Sequence, residues 1–261
     1  MKQAALFVAA LLAVPIISTV APAGAADLSQ MRQSGYQFMR PETRALQDDD
    51  TQNPAMLWVE EGRALWVKNA ANGKSCAGCH GEASTSMRGV ATRYPAYSRA
   101  AKRPINLAQQ INLCRTNKQK NTTLALDDQA LLSIESYIAL QSRGLPISPP
   151  ADRRLNAART LGEKLFRQRI GQLDLSCKDC HTDNAGKLLA GNPIPQAHPT
   201  GYPLYRLEWQ TVGSLQRRLG NCMVGVRAAP YAAGSAEMIA LEVYLASRAH
   251  GMKMETPAVR P

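Results

Sequence analysis

Cys76-Ala77-Gly78-Cys79-His80 and Cys177-Lys178-Asp179-Cys180-His181 are two C-x-x-C-H runs in one chain of 261 residues, each at the same place in a longer repeat. Gly62-x-x-Leu65-Trp66 precedes the first and Gly162-x-x-Leu165-Phe166 the second. Downstream, Cys114 has its counterpart in Cys222. Ile134-Glu135-Ser136-Tyr137-Ile138-Ala139 matches Leu241-Glu242-Val243-Tyr244-Leu245-Ala246. Four landmarks in one order, at nearly constant spacing, describe a duplicated module. Residues 59–69, 128–141, 157–169 and 235–248 carry apolar side chains at helical spacing, and no segment shows sustained strand alternation. The expected fold is mainly α, with long loops and two modules in tandem.

A C-x-x-C-H run reads as c-type haem attachment: both thiols bond covalently to the porphyrin edge, and the histidine meets the iron from the proximal side. Cys76, Cys79 and His80 are assigned to one haem, and Cys177, Cys180 and His181 to the other. A zinc site built from the two cysteine pairs is the competing reading. Zinc ribbons separate their pairs by about 15–20 residues, whereas Cys79 and Cys177 lie 98 apart. A thioredoxin-like redox pair needs a βαβ setting that is not seen.

The second axial ligand follows by elimination. An electron-transfer cytochrome c normally uses Met or His there. Module one has no His besides His80, and Met87 follows His80 too closely to reach the opposite face of the ring. Cys114 lies 34 residues beyond His80, and Cys222 lies 41 beyond His181. Met223, Met238, His198 and His250 compete in module two. A disulfide between Cys114 and Cys222 is the other use for two remaining cysteines in an exported protein. Their equivalent places in separate modules argue instead for one thiolate on each iron. A thiolate stabilises ferric iron and lowers the potential, and its sulfur is itself a nucleophile.

The modules differ around that sulfur. If residues 216–227 are helical, Arg218 shares a face with Cys222, favours an anionic sulfur there and offers a bidentate fork to an oxyanion. The matching residue before Cys114 is the uncharged Gln110, and Arg115 is expected to point to another face. Pairing of Arg218 with a haem propionate is the alternative.

Composition bounds the rest. Apolar residues make up 45 % and charged residues 20 %, which excludes a disordered chain. The formal charge of +11 gives a positive exterior. With aromatics at 5 % and no basic run interleaved with them, nucleic acid is not an expected partner. Lys2, an apolar run and Ala23-Gly24-Ala25-Ala26 read as a cleavable secretory signal rather than a membrane anchor. No later stretch approaches the length of a membrane span, so no membrane association is expected of the mature chain. The expected divisions are 1–26 signal peptide, 27–58 polar extension, 59–148 module one and 149–261 module two with a short tail. The Pro- and Gly-rich stretch Ser142–Pro150 is read as the linker between the modules.

Each module resembles the class I cytochromes c, in which an N-terminal helix bearing Gly and an aromatic crosses a C-terminal helix bearing another aromatic. Gly62, Trp66 and Tyr137, and Gly162, Phe166 and Tyr244, occupy those places. The whole mature chain resembles the SoxA family, dihaem subunits of the SoxAX cytochrome of thiosulfate oxidation. The most specific shared features are both haem motifs, the paired distal cysteines and Arg218-x-x-x-Cys222. The resemblance implies two covalently attached haem c groups and an L-cysteine S-thiosulfotransferase activity, which joins thiosulfate oxidatively to a cysteine of the SoxYZ carrier. It implies that Cys222 is both iron ligand and catalytic sulfur, as a persulfide in relatives, and that Arg218 holds thiosulfate. It further implies a SoxX monohaem partner that accepts the electrons, in the periplasm. A non-catalytic dihaem electron carrier is the main alternative. A dihaem peroxidase would need an acid–base pair that the sequence does not place, and a scaffold for a cytochrome partner would use only the basic surface.

Overall fold

The computed structural model describes Met1 and residues 31–261; the signal-peptide segment lies outside the described residues. In chain order the first half contains α1 (Pro41–Asp48), α2 (Met56–Val67), α3 (Cys76–His80), α4 (Ala83–Ser86), β1 (Ala96–Ser98), β2 (Arg103–Ile105), α5 (Leu107–Asn117) and α6 (Gln129–Leu140). The second half contains α7 (Asn156–Arg167), α8 (Cys177–His181), β3 (Leu188–Leu189), β4 (Asn192–Pro193), β5 (Leu204–Arg206), β6 (Thr211–Gly213), α9 (Leu215–Gly225), α10 (Ala236–Arg248) and β7 (Ala258–Arg260). The expectation of a mainly helical chain holds, and the four periodic segments are α2, α6, α7 and α10.

The duplication is visible in the packing. α2 crosses α6, and α7 crosses α10. At each crossing a glycine is the contact. A Cβ on Gly62 would lie 2.0 Å from the Ser133 carbonyl oxygen and 2.8 Å from the Tyr137 Cβ. On Gly162 it would lie 2.0 Å from the Ala240 oxygen and 2.8 Å from the Tyr244 Cβ. Only a residue without a side chain lets the two backbones approach this closely. The close approach sets Trp66 edge-on to Tyr137, 6.0 Å between centroids, and Phe166 5.4 Å from Tyr244.

Local capping explains where the helices begin. Asn106 accepts from the Gln109 N–H at the start of α5, and Ser214 accepts from the Arg217 N–H at the start of the equivalent α9. Asp128 and Ser235 cap α6 and α10 in the same way. Each cap satisfies an N–H that the first turn leaves without a partner.

Small sheets supplement the helices. β1–β2 and β5–β6 are antiparallel hairpins that lead into α5 and α9, and β7 adds in parallel to β5. Their strands are three residues long, too short for alternation to register in the sequence. The stretch at 142–150 is a loop, as its composition indicates, but it is strapped down. Gly144 N donates to Met254 O and Ile147 N to Met252 O, while Gly251 N donates back to Ile147 O. Residues 32–261 consequently form one compact unit, and Ala249 and Met254 belong to the module-one core. The extension is likewise docked: Asn53 Nδ2 donates to Pro257 O (2.9 Å), and Gln47 accepts from the Val259 N–H (3.1 Å). Among the described residues no helix is long and apolar enough to cross a membrane.

Replacing Gly162 by Ala should destabilise the haem-loaded protein by roughly 3 kcal/mol or more, since the added methyl meets rigid backbone, and Gly62→Ala should act alike. Gly225→Ala, where an added Cβ meets nothing within 4 Å, should leave the melting temperature unchanged or raise it. Thermal unfolding followed at a haem band measures all three.

Candidate functional site

α3 and α8 are single turns, each begun by a serine. Ser75 Oγ accepts from the Gly78 N–H, and Ser176 Oγ from the Asp179 N–H. Asp179 returns the bond by accepting from the Ser176 N–H, closing a capping box. On such a turn the two cysteines stand at i and i+3 and the histidine at i+4, so all three share one face. His181 Nδ1 donates to the Pro195 carbonyl at 2.6 Å, which leaves Nε2 as the lone-pair nitrogen. Burial holds His181 below the usual imidazole range, against the Pro195 bond, with Arg218 and Arg248 adding to the lowering. It is therefore a neutral donor. His80 is exposed and lies 5.9 Å from the Trp66 ring, while Trp66 Nε1 donates to Gly81 O at 3.0 Å.

α5 and α9 bring the distal cysteines to their own motifs. Burial raises the Cys76 thiol, and the nearby Cys114 raises it further. Burial pushes Cys177 up to about 11, with Cys222 the next cause, and Cys222 acts on Cys180 as well. None of the six cysteines is in a disulfide, so Cys114 and Cys222 are not joined to each other. The other candidate ligands are placed as follows. Met87 is buried in the module-one core, and Met223 and Met238 pack with Phe166 and Leu241. His198 places Nδ1 2.7 Å from the Gln33 carbonyl, and His250 is exposed.

The difference between the modules is structural as well as sequential. Arg218 and Cys222 lie one turn apart on α9, and Arg218 is close enough to influence His181 and Tyr202. Its guanidinium has no hydrogen bond or ion pair among the described residues. In module one, Gln110 Nε2 donates to Cys114 Sγ at 3.5 Å, a neutral contact in the equivalent place. Arg115 departs from expectation: it follows Cys114 directly, yet its charge reaches Cys76 and its Nε is buried without a partner.

Sequence reasoning passed over three residues here. Arg248 stands 4.5 Å over the Phe166 ring, influences His181 and Cys177, and has Nη1 buried without a partner. Its signal was its place four residues beyond Tyr244, on the same face of α10; Gln141 holds that place in module one. Arg206 lies near Arg218, stacks 5.2 Å from the Trp209 ring and pairs with Glu208. Pro195 acts through its carbonyl, which no sequence pattern advertises.

These donors suit haem c. Each motif offers two free thiols and an imidazole on one face, with a third sulfur nearby. The orphaned guanidinium nitrogens of Arg115 and Arg248 are matched to the carboxylates that a haem carries.

A family model described as SoxA/TsdA, cytochrome c domain, matches residues 61–147 and 161–254. The chain is 39 % identical to the L-cysteine S-thiosulfotransferase subunit SoxA of Pseudaminobacter salicylatoxidans, over 87 % of this chain and 80 % of that protein. It is 35 % identical to that of Rhodovulum sulfidophilum, over 92 % and 84 %. The crystal structure of SoxXA from P. pantotrophus superposes with a TM-score of 0.85 at 32 % identity, covering 88 % of this chain and 87 % of that one. With both halves of the repeat matched, and cytochrome c domains carrying covalently bound haem, the chain belongs to the SoxA family of c-type cytochromes.

Proposed function

We propose that this chain is an L-cysteine S-thiosulfotransferase subunit carrying two haem c groups, one per module, with the catalytic centre in module two. Cys76 and Cys79 would hold the first haem, with His80 and Cys114 on its iron. Cys177 and Cys180 would hold the second, with His181 and Cys222 on its iron. Bound haem supplies one-electron redox capacity, and a thiolate donor favours its ferric state.

One observation carries the reading: Arg218 and Cys222 share a face of α9 above Cys177, Cys180 and His181, whereas module one has Gln110 in the equivalent place. In the overall reaction a carrier thiol and thiosulfate form a sulfur–sulfur bond, releasing one proton and two electrons. The residues of this chain prepare that step. Arg218 receives the sulfonate oxygens through its planar fork and aims the terminal sulfur of thiosulfate at Cys222. Cys222, as thiolate or persulfide, is the catalytic sulfur. The Pro195 carbonyl holds the His181 ring and leaves its Nε2 as the nitrogen that would meet the haem iron. Net positive charge draws the dianion in.

The partners follow from the relatives. A SoxX-like monohaem cytochrome would form the heterodimer and take the electrons, and a SoxYZ-like carrier would present the cysteine. The reaction is assigned to the periplasm, reached through the signal at residues 1–26.

Intact mass should equal the mature chain with two haems, and about 32 Da more where Cys222 is a persulfide. Cys222→Ser should abolish conjugate formation while both haems stay attached; unchanged turnover would defeat the catalytic assignment. Arg218→Gln should raise KM for thiosulfate about 10–100-fold, the equivalent of a lost charge-assisted bidentate contact. Cys114→Ser should alter the spectrum of one haem and leave conjugation within a fewfold of wild type.

A further inference from the structure

The repeat places a glutamate two residues before a tyrosine in each module, Glu135 before Tyr137 and Glu242 before Tyr244, and the haem chemistry uses neither. Glu135 on α6 and Glu242 on α10 line one cavity of about 90 Å³, at the seam where the two halves of the repeat meet. That is room for several water molecules. Both carboxyls therefore come from equivalent positions in the duplication to the wall of one cavity.

The two are solvated unequally by the protein. Glu242 Oε1 accepts from Asn106 Nδ2 at 3.0 Å and from Gln216 Nε2 at 2.6 Å. These donors come from opposite sides of the seam, and Gln216 Oε1 is itself engaged by the Gly234 N–H at 2.7 Å. The Glu135 carboxyl has no hydrogen-bond donor among the described residues. Asp127, which accepts from the Ser214 N–H at 3.0 Å across the same seam, brings a further negative charge toward it. Tyr94 and Tyr202 complete the titratable lining. Tyr94 is in turn near Cys114 and Arg93, and Tyr202 near Arg218, Cys222, Arg206 and Arg260. No Lys, Arg or His lines the cavity.

Two carboxylates cannot both be ionised here at low cost. Each would lose bulk water, and no cation stands in the cavity to compensate. We propose that Glu135 and Glu242 form a buried proton-binding site that holds one proton at neutral pH, and that this shared proton is a condition for the two modules to close around the cavity. The donors assign its resting place. Glu242, with two amide N–H groups on one oxygen, keeps the charge; Glu135, with none, keeps the proton. Asn106 and Gln216 bridge the modules by way of that charge.

Electrostatics agree with the geometry. Burial pushes Glu135 up to about 8, with Glu242 and then Asp127 adding to it. Burial pushes Glu242 up to about 7, against the pull of Asn106 and Gln216. A carboxyl raised in this way stabilises the fold fully below its ordinary pKa near 4.5. That contribution is lost as pH climbs through the folded values, because the unfolded chain then gives up its proton first.

Thermal unfolding of the haem-loaded protein between pH 5 and 9, beside its Glu135→Gln variant, tests the proposal without any thiosulfate turnover. Wild type should lose stability as pH rises, and the variant, whose amide imitates the neutral acid, should show a flatter profile and melt about 5 °C higher at pH 9. Parallel profiles would overturn the inference. Infrared spectra of the folded protein give a second reading that needs no variant to fold. A protonated-carboxyl band of the wild type should be present at pH 6 and fade by pH 9. A wild-type spectrum with no such band at pH 6 would overturn it equally.

Discussion

The crossing of α2 over α6, and of α7 over α10, rests on a backbone-to-backbone contact that tolerates no methyl group. With the Ser133 and Ala240 carbonyls where the Cβ of residues 62 and 162 would be, the helix pairs have one available separation. Everything near the candidate centres is placed from there. The aromatics at 66 and 137, and at 166 and 244, meet because their helices cross one turn from the glycine. The motif helices follow within a short loop, so the position of their thiols and imidazoles is inherited from the crossing. Packing density at such a point transmits small errors rather than absorbing them. That is a reason for the same glycine to occur in both copies while surrounding residues vary.

Duplication with selective departure explains how two similar modules can do different work. The crossing glycine, the serine cap of the motif helix and the capped α5 or α9 are common to both. The departures cluster around the sulfur on α5 and α9. Gln110 is replaced by Arg218, and Gln141, which donates to the Tyr137 carbonyl, is replaced by Arg248 over Phe166. One module therefore has neutral amides where the other has guanidinium groups. The second motif is also better held, by the Asp179 capping box and the Pro195 carbonyl. A centre where bonds are made needs this support more than one that only holds a cofactor.

Much of this was readable from residue order. The repeat gave the helix pairs, since a glycine and an aromatic at i and i+4 with a second aromatic downstream is a local pattern. The face shared by Arg218 and Cys222 followed from helical spacing alone. What escaped was non-local. Arg115 looked as though it would face away because spacing predicts where a side chain leaves a helix, not where a long one ends. The Pro195 carbonyl is backbone, identical in every residue until the loop is folded. The strap between residues 144–147 and 251–254 depends on main-chain bonds across more than a hundred residues, so a stretch with linker composition became part of the core. The glutamates were visible as matching letters, but their meeting in one cavity required knowing how the two halves dock.

Charge distribution ties these features together. Around module two, Arg206, Arg218 and Arg248 stand near His181 and Tyr202, and among the described residues only Glu208 forms an ion pair with any of them. Arg206 is lowered by burial and then by Arg218, and Arg248 by burial first, which marks a region short of negative charge. Holding cations in such a place costs free energy, and an anion that enters recovers part of it. Haem carboxylates and thiosulfate are both anions, so cofactor and substrate gain from the same deficit.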